Sequence, residues 1–219
     1  MESLIKLKNI KFGYSEDTPV FTSLDFNVNK NEKIALTGEN GSGKTTLFHI
    51  IMGLLPVLSG DIYLFGNKMN SENDFRKFRT KIGLLFQDSD DQLFSPTVID
   101  DVAFGPLNLG FKGDAAREIA ETTLKQLHIF HLRDRITYKL SGGEKRMVAL
   151  ATILSMKPDV LLLDEPTNGV DEKHLNLLIE FLIQTKLSYV IISHDENFLN
   201  KVTDTTLLLS NGTITSYPP

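Results

Sequence analysis

Apolar and polar residues alternate from the start of the chain. Ile5 and Leu7 share one face of a strand over 4–12, and Ile10 and Phe12 take that face over after a one-residue slip, which marks a bulge. Leu24, Phe26 and Val28 alternate with Asp25 and Asn27 in a second half-buried strand. Unbroken apolar runs at 34–36, 82–86, 160–163 and 189–192 predict buried strands. Residues 61–65, set between Gly60 and Gly66-Asn67, predict one more. Leu207 to Leu209, then Asn211-Gly212, then Thr213-Ile214 predict a closing hairpin.

Elsewhere the apolar positions follow the helical period. Leu47, Ile50, Ile51 and Leu54 line one helix face; Ala116, Ile119, Ala120, Thr123, Leu124 and Leu127 line another. Met147, Leu150, Ala151 and Leu154 form a third, and Leu175, Leu178, Ile179 and Leu182 a fourth. Ser71 to Asp74 fits a capping box opening a short basic helix through Arg79. Thr97 to Asp100 caps a helix carrying Val98, Ile99 and Val102, which Gly105-Pro106 is expected to break. Strands interleaved with helices predict an α/β protein. The stretch from Asp88 to Leu140 has no strand pattern and predicts a helical lobe inserted into that core. Its Leu93, Phe94, Phe104, Leu107, Leu109 and Phe111 either pack inside the lobe or form a docking surface for another protein.

Length and composition narrow the class. The chain has 219 residues, 41% hydrophobic and 23% charged, as expected of one globular domain with a sub-lobe. A net charge of −5 gives no global basic field to draw it to nucleic acid or anionic lipid. The absence of cysteine removes disulfides and thiolate metal sites. The residues from Met1 to Phe12 are no signal peptide, and no apolar run reaches membrane-spanning length. Work at a membrane would require another chain to hold this one there.

Candidate chemistry centres on Gly38-Glu39-Asn40-Gly41-Ser42-Gly43-Lys44-Thr45, which fits the phosphate-loop pattern G-x-x-x-x-G-K-[ST]. A strand precedes it and a helix follows, so glycine backbone and helix-start N–H groups form an anion site. Gly38, Asn40, Gly41, Ser42, Gly43, Lys44, Thr45 and Thr46 are the expected nucleotide contacts. Lys44 is expected at the β- and γ-phosphates and Thr45 on Mg²⁺. Tyr14 either stacks on an adenine ring or caps the core at a strand end. Gln87, leaving the strand at 82–86, is placed to reach Mg²⁺ or an attacking water. Ser141-Gly142-Gly143 opens a helix and makes either a second phosphate surface or a plain cap with a flexible lead-in. Asp164 and Glu165 end a buried strand, where open parallel sheets bind ligands; Asp164 is expected on Mg²⁺ and Glu165 to activate water. His194 ends the next strand, in reach of a γ-phosphate. His128 and His131 lack acidic or sulfur companions in register and predict no metal site.

These motifs, in this order and over nearly the whole chain, resemble the ATPase subunits of ABC transporters. Tyr14 resembles that family's adenine-stacking aromatic, Gly38 to Thr45 its Walker A motif, and Gln87 its Q-loop. Leu140-Ser141-Gly142-Gly143 resembles the signature, Val160 to Asp164 Walker B, Glu165 the catalytic glutamate, Asp171 the D-loop aspartate and His194 the switch histidine. The resemblance implies a single ABC ATPase domain over 1–219. Its P-loop core would be a mixed, mainly parallel sheet with antiparallel N-terminal strands, over 1–87 and 141–219, with the helical subdomain at 88–140. It implies ATP hydrolysis with Mg²⁺ at a head-to-tail dimer interface, Glu165, His194, Lys44 and Gln87 being catalytic. Ser141, Gly142, Gly143 and Asp171 would complete the site of the second ATPase subunit, an identical or a different chain.

A finer resemblance covers Phe86 to Val98 and Asp101-Val-Ala-Phe-Gly-Pro106. It is similar to the ATPases of energy-coupling-factor importers, especially the cobalt and nickel branch. That implies an integral membrane coupling protein, a membrane component that captures the solute, and a place at the cytoplasmic face of the membrane. The chain stops soon after the closing hairpin, where many members of that branch carry an extension. Glu144 stands where glutamine is commoner, and Asn168 where a small residue is usual. A biotin-type or other vitamin importer, another ABC transporter or a soluble ABC ATPase are the alternatives.

Overall fold

A computed structural model describes residues 2–15 and 18–216. Met1, Glu16, Asp17 and residues 217–219, all within the expected domain span of 1–219, lie outside the described residues. The chain forms two units: residues 1–82, 159–162 and 186–219 make the first, and 83–158 and 163–185 the second. The segment 88–140 falls inside the second.

The first unit opens with β1 (Ser3–Ser15) and β2 (Thr18–Asn29), which pair antiparallel, and β1 also pairs antiparallel with β4 (Ser59–Leu64). With β5 (Asn67–Lys68) they make a separate sheet in the order β2-β1-β4-β5. The slip read from the sequence is present: the β1–β2 register shifts between Leu7 and Ile10, and Asn9 takes a positive φ of 51°. Ile5, Leu7, Ile10 and Phe12 are all buried, so the bulge keeps both apolar sets on one face.

The parallel part is β3 (Lys33–Thr37), flanked by β8 (Ser188–Ile192) and β9 (Thr205–Ser210), with β10 (Thr213–Ser216) antiparallel on β9. The β9–β10 turn has Asn211 and Gly212 at φ 49° and 72°, as a two-residue hairpin requires. Helix α1 (Lys44–Ile51) follows the phosphate loop. It ends before Leu54, which is 49% exposed instead of completing the apolar face. Helix α2 (Glu72–Phe78) starts after Ser71, but the Ser71 hydroxyl donates to Asp74 Oδ2 instead of capping the backbone, so the expected capping box does not form.

β6 (Ile82–Leu85) and β7 (Val160–Asp164) are buried strands that begin in the first unit and end in the second. Helices α3 (Val98–Asn108), α4 (Gly113–Gln126), α5 (Gly142–Leu154) and α6 (Glu172–Gln184) supply the rest. Gly105-Pro106 does not break α3. Proline removes one donor, but Leu109 N–H still reaches the Gly105 carbonyl at 3.0 Å, so the helix resumes at once. Gly105 is small for a packing reason: a Cβ there would lie 2.6 Å from Met156 Cγ. The buried face of α6 is His174, Leu178, Phe181 and Leu182, rotated from the one read from the sequence. In the first unit, α7 (Glu196–Val202) follows β8. No helix among the described residues is long and apolar enough to cross a membrane.

Candidate functional site

The phosphate loop of the first unit needs its glycines for two different reasons. Gly38, Gly41 and Gly43 have φ of 149°, 79° and 102°, in the region that side chains disfavour. Gly38 also has no room, since a Cβ would lie 2.3 Å from the Leu209 carbonyl oxygen. Around Gly41 nothing lies within 4 Å. A Cβ on Gly43 would strike Val20 at 2.7 Å and the Phe21 ring at 2.9 Å. Glycine thus presses the loop against β2 and β9, and α1 starts at the next residue, so the N-terminal end of the helix lies at the loop.

Lys44 is buried, and its ammonium donates to the carbonyls of Gly38 and Glu39 at 2.8 and 2.9 Å. The side chain therefore folds back along the loop. Ser42 Oγ is buried and has no hydrogen-bond partner among the described residues. An orphaned hydroxyl, a lysine curled over the turn and a helix start form the donor set that a polyphosphate needs. The site fits ATP.

Tyr14 and His194 flank this loop. The Tyr14 ring is 67% exposed, leans edge-on against Phe12 with centroids 5.1 Å apart, and its hydroxyl meets Thr46 Oγ1 at 2.9 Å. It is therefore no core residue; it offers a ring face beside the first turn of α1. The exposed His194 lines a cleft of about 880 Å³ with Thr37, Gly38, Glu39 and Asn40. The structure thus brings Tyr14, residues 38–46 and His194 together.

Gln87, Ser141 to Gly143, Asp164, Glu165 and Asp171 belong to the second unit. Asp164 and Glu165 are buried at the end of β7. Glu165 has a φ of 47°, a strained conformation for a residue with a side chain, costing about 1–3 kcal/mol. Ser141 caps α5 with a full capping box: its hydroxyl accepts from Glu144 N–H, and the Glu144 carboxylate accepts from Ser141 N–H at 2.8 Å. The Ser141 backbone N–H above all, with the Ser141 hydroxyl and Arg135 beyond it, holds the Glu144 carboxyl below its usual range, against the opposing effect of burial. The cap reading is therefore met, and the first-turn amides of α5 keep their anion-attracting character. Asp171 caps α6, accepting the His174 backbone N–H on Oδ1 at 3.0 Å.

Gln87 is exposed, but its backbone is held. Arg146, from the second turn of α5, donates to the carbonyls of Phe86 and Gln87 at 2.5 and 2.6 Å. Gln92 fastens the other end, accepting from Phe86 N–H at 3.3 Å and donating to Ala149 O and Thr152 Oγ1, both at 3.0 Å. Arg146 is 4% exposed. Burial pushes its guanidinium below the usual arginine range, and Asp88, Asp164 and Glu165 oppose that shift. Sequence reading missed Arg146 and His174. The signal was present for both: Arg146 stands four before Leu150, and His174 four before Leu178, each on a face that is otherwise apolar. Among the described residues no group of three or more His, Cys, Asp or Glu placed to hold a metal ion occurs.

The profile of the family described as ABC transporter matches residues 21–168. A Brucella suis protein named as an ABC transporter ATP-binding protein is 49% identical, over 97% of this chain and 88% of its own length. The energy-coupling factor transporter ATP-binding protein EcfA of Methanothermobacter thermautotrophicus is 37% identical, over 95% of this chain and 68% of its own. The solved structure of cbiO1 from Clostridium perfringens, described as part of the ABC transporter complex cbiONQ, superposes with a TM-score of 0.87. It is 34% identical and is matched over 98% of this chain and 88% of that one. A dimeric ATP-binding cassette in a post-hydrolysis state with ADP and Pi gives 0.84 at 25% identity, over 99% and 100%. The phosphate loop, the strand-end carboxylates, the capped glycine turn and these likenesses converge on one conclusion: the chain belongs to the ATP-binding subunits of ABC transporters, a family that binds and hydrolyses ATP.

Proposed function

We propose that this chain energises an importer of the energy-coupling-factor type that takes up a transition-metal ion, cobalt or nickel. ATP lies between the phosphate loop of one cassette and Ser141 to Gly143 of a second. Tyr14 stacks on the adenine. The loop amides and Lys44 neutralise charge that builds on the phosphoryl group. The Thr45 hydroxyl, the Gln87 amide oxygen and the Asp164 carboxylate are hard oxygen donors of the kind that would hold Mg²⁺, which supplies further charge neutralisation at the phosphates. Glu165 orients the water and takes its proton. His194 holds the γ-phosphate, and Asp171 belongs to the surface that meets the second cassette.

The observation that carries the importer reading is an exposed apolar patch in the second unit. Phe94 and Phe104 meet edge to face at 4.8 Å, yet both stay exposed, as do Leu107, Leu109 and Phe111. The patch is built with care: buried Asp101 accepts the N–H groups of Phe94 and Ser95 on one oxygen, at 3.2 and 2.9 Å. Apolar surface of this kind supports a protein partner, here the integral coupling protein that would keep the chain at the cytoplasmic face of the membrane. The EcfA likeness supports the energy-coupling-factor type, and the motif resemblance over 86–98 and 101–106 supports the metal branch.

The test is reconstitution with the membrane proteins that co-purify with the chain. ATP-dependent uptake of cobalt or nickel into vesicles is expected. Phe94→Ser with Phe104→Ser is expected to lose co-purification while keeping ATP binding. Uptake of biotin in place of either metal would move the assignment to a vitamin importer, and a chain fully active without any membrane protein would end the importer reading.

A further inference from the structure

The starts of α5 and α6 meet within the second unit at a point with no space for side chains. A Cβ on Gly142 would lie 2.8 Å from the Gly169 carbonyl oxygen. One on Gly143 would lie 2.8 Å from Asp171 Oδ2 and 2.9 Å from His174 Nδ1. Residues 169–174 are therefore the floor beneath the glycine turn, and Asp171 brings a carboxylate to that floor. A negative charge there opposes any anion approaching the first-turn amides of α5, whose partial positive charge attracts a phosphate.

His174 engages that carboxylate. It is 7% exposed, and its Nδ1 lies 2.6 Å from Asp171 Oδ2, while its backbone N–H is bound by Oδ1. An ionised carboxylate only accepts, so Nδ1 carries the bridging proton. The backbone and ring hydrogen bonds from His174 hold the Asp171 carboxyl below its usual range. The other acid at this junction, Glu144, is engaged by the Ser141 backbone in the capping box. Asp171 is thus the carboxylate whose direction depends on the histidine ring.

We propose that His174 is a positioning residue for the nucleotide clamp: it ties down the Asp171 carboxylate beside Gly143, so that the Ser141–Gly143 turn stays receptive to the terminal phosphate of a nucleotide held by a second cassette. This rests on the paired-cassette reading above. It adds the group that keeps the turn's electrostatics favourable, and it gives the glycines a second reason to lack side chains, one within their own chain.

The test reads dimer formation directly, without turnover. In a Glu165→Gln parent, ATP is titrated and the dimer followed by light scattering. His174→Leu is expected to raise the ATP concentration at half-maximal dimerisation by about tenfold, the scale of one lost charge-assisted hydrogen bond. Nucleotide binding to the monomer, measured with a fluorescent ATP analogue, is expected to stay at the parent value and shows that the variant is folded. His174→Asn places an amide donor near the Nδ1 position and is expected to restore parent behaviour. The Leu effect is expected to vanish in an Asp171→Asn background, because the charge to be tied down is gone. Dimerisation of His174→Leu at the parent's ATP concentration would overturn the proposal, as would an effect that persists undiminished in Asp171→Asn. A Glu165→Gln parent that stays monomeric at saturating ATP removes the paired-cassette reading itself, and the inference with it.

Discussion

At the scale of single residues, the phosphate loop separates two demands on glycine that sequence alone merges. Gly38 and Gly41 both need φ above zero, but only Gly38 faces backbone at a distance no Cβ tolerates. Gly38→Ala is therefore expected to destabilise the chain by more than about 3 kcal/mol, adding steric overlap to strain, and Gly41→Ala by only about 1 kcal/mol from strain. Urea melts of the two variants check the order; equal midpoints would contradict it. Glu165→Gln keeps the shape of the strand end and removes the proposed base. ATP binding is expected to persist while phosphate release falls by about 10²–10⁴-fold, the range for loss of a general base. The burial of Glu165 at a strand end was legible from its place after an apolar run ending in Asp164. Its left-handed backbone was not, because glutamate carries no preference that announces it and the strain is imposed by the surrounding fold. Tyr14 was legible only as an alternative, and its exposure decides for a ring offered to solvent over a core aromatic.

At the scale of elements, α5 carries more than its glycine turn. Its N-terminus presents Ser141 to Gly143, and two of its side chains reach the segment after β6: Arg146 grips the carbonyls of Phe86 and Gln87, and Lys145 meets Asp90 at 2.5 Å. With Gln92 bonded back to Ala149 and Thr152, residues 86–92 are fastened to the helix at both ends. Arg146→Met is expected to remove a charge-assisted hydrogen bond from each of the part-buried carbonyls of Phe86 and Gln87, at about 1.5–3 kcal/mol each. Hydrogen exchange in nucleotide-free protein is expected to accelerate at 86–92 and to stay unchanged along β1 and β2; uniform acceleration would mean global loosening instead. Element existence was well marked in the sequence, because buried strands and amphipathic helices leave unmixed periods. Two errors share one cause, which is that tertiary contact overrides local rules. Proline in α3 is carried because Val98, Ile99, Val102 and Ala103 bury the turns before it, and the α6 face turns to bury His174, a polar residue that a count of apolar positions skips.

At the scale of the whole molecule, the proposed pairing has a consequence that no single-chain site shares. Under it, each nucleotide meets Lys44 of one cassette and Ser141 of the other. Lys44→Ala removes a phosphate ligand, and Ser141→Arg fills the glycine turn with a bulky side chain. Each variant alone is expected to be inactive, because a symmetric pair repeats the defect at both sites. Mixed in equal amounts they are expected to recover roughly a quarter of wild-type ATPase activity, since half of randomly formed pairs are mixed and each of those has one site with neither change. The intact site takes its Lys44 from the Ser141→Arg chain and its Ser141 from the Lys44→Ala chain. A site completed within one chain gives no recovery at any mixing ratio, because every chain then carries its own defect. A steady-state phosphate-release assay over a series of mixing ratios distinguishes the two: the paired arrangement gives activity proportional to the product of the two fractions, peaking at equal amounts, and the single-chain arrangement gives none throughout.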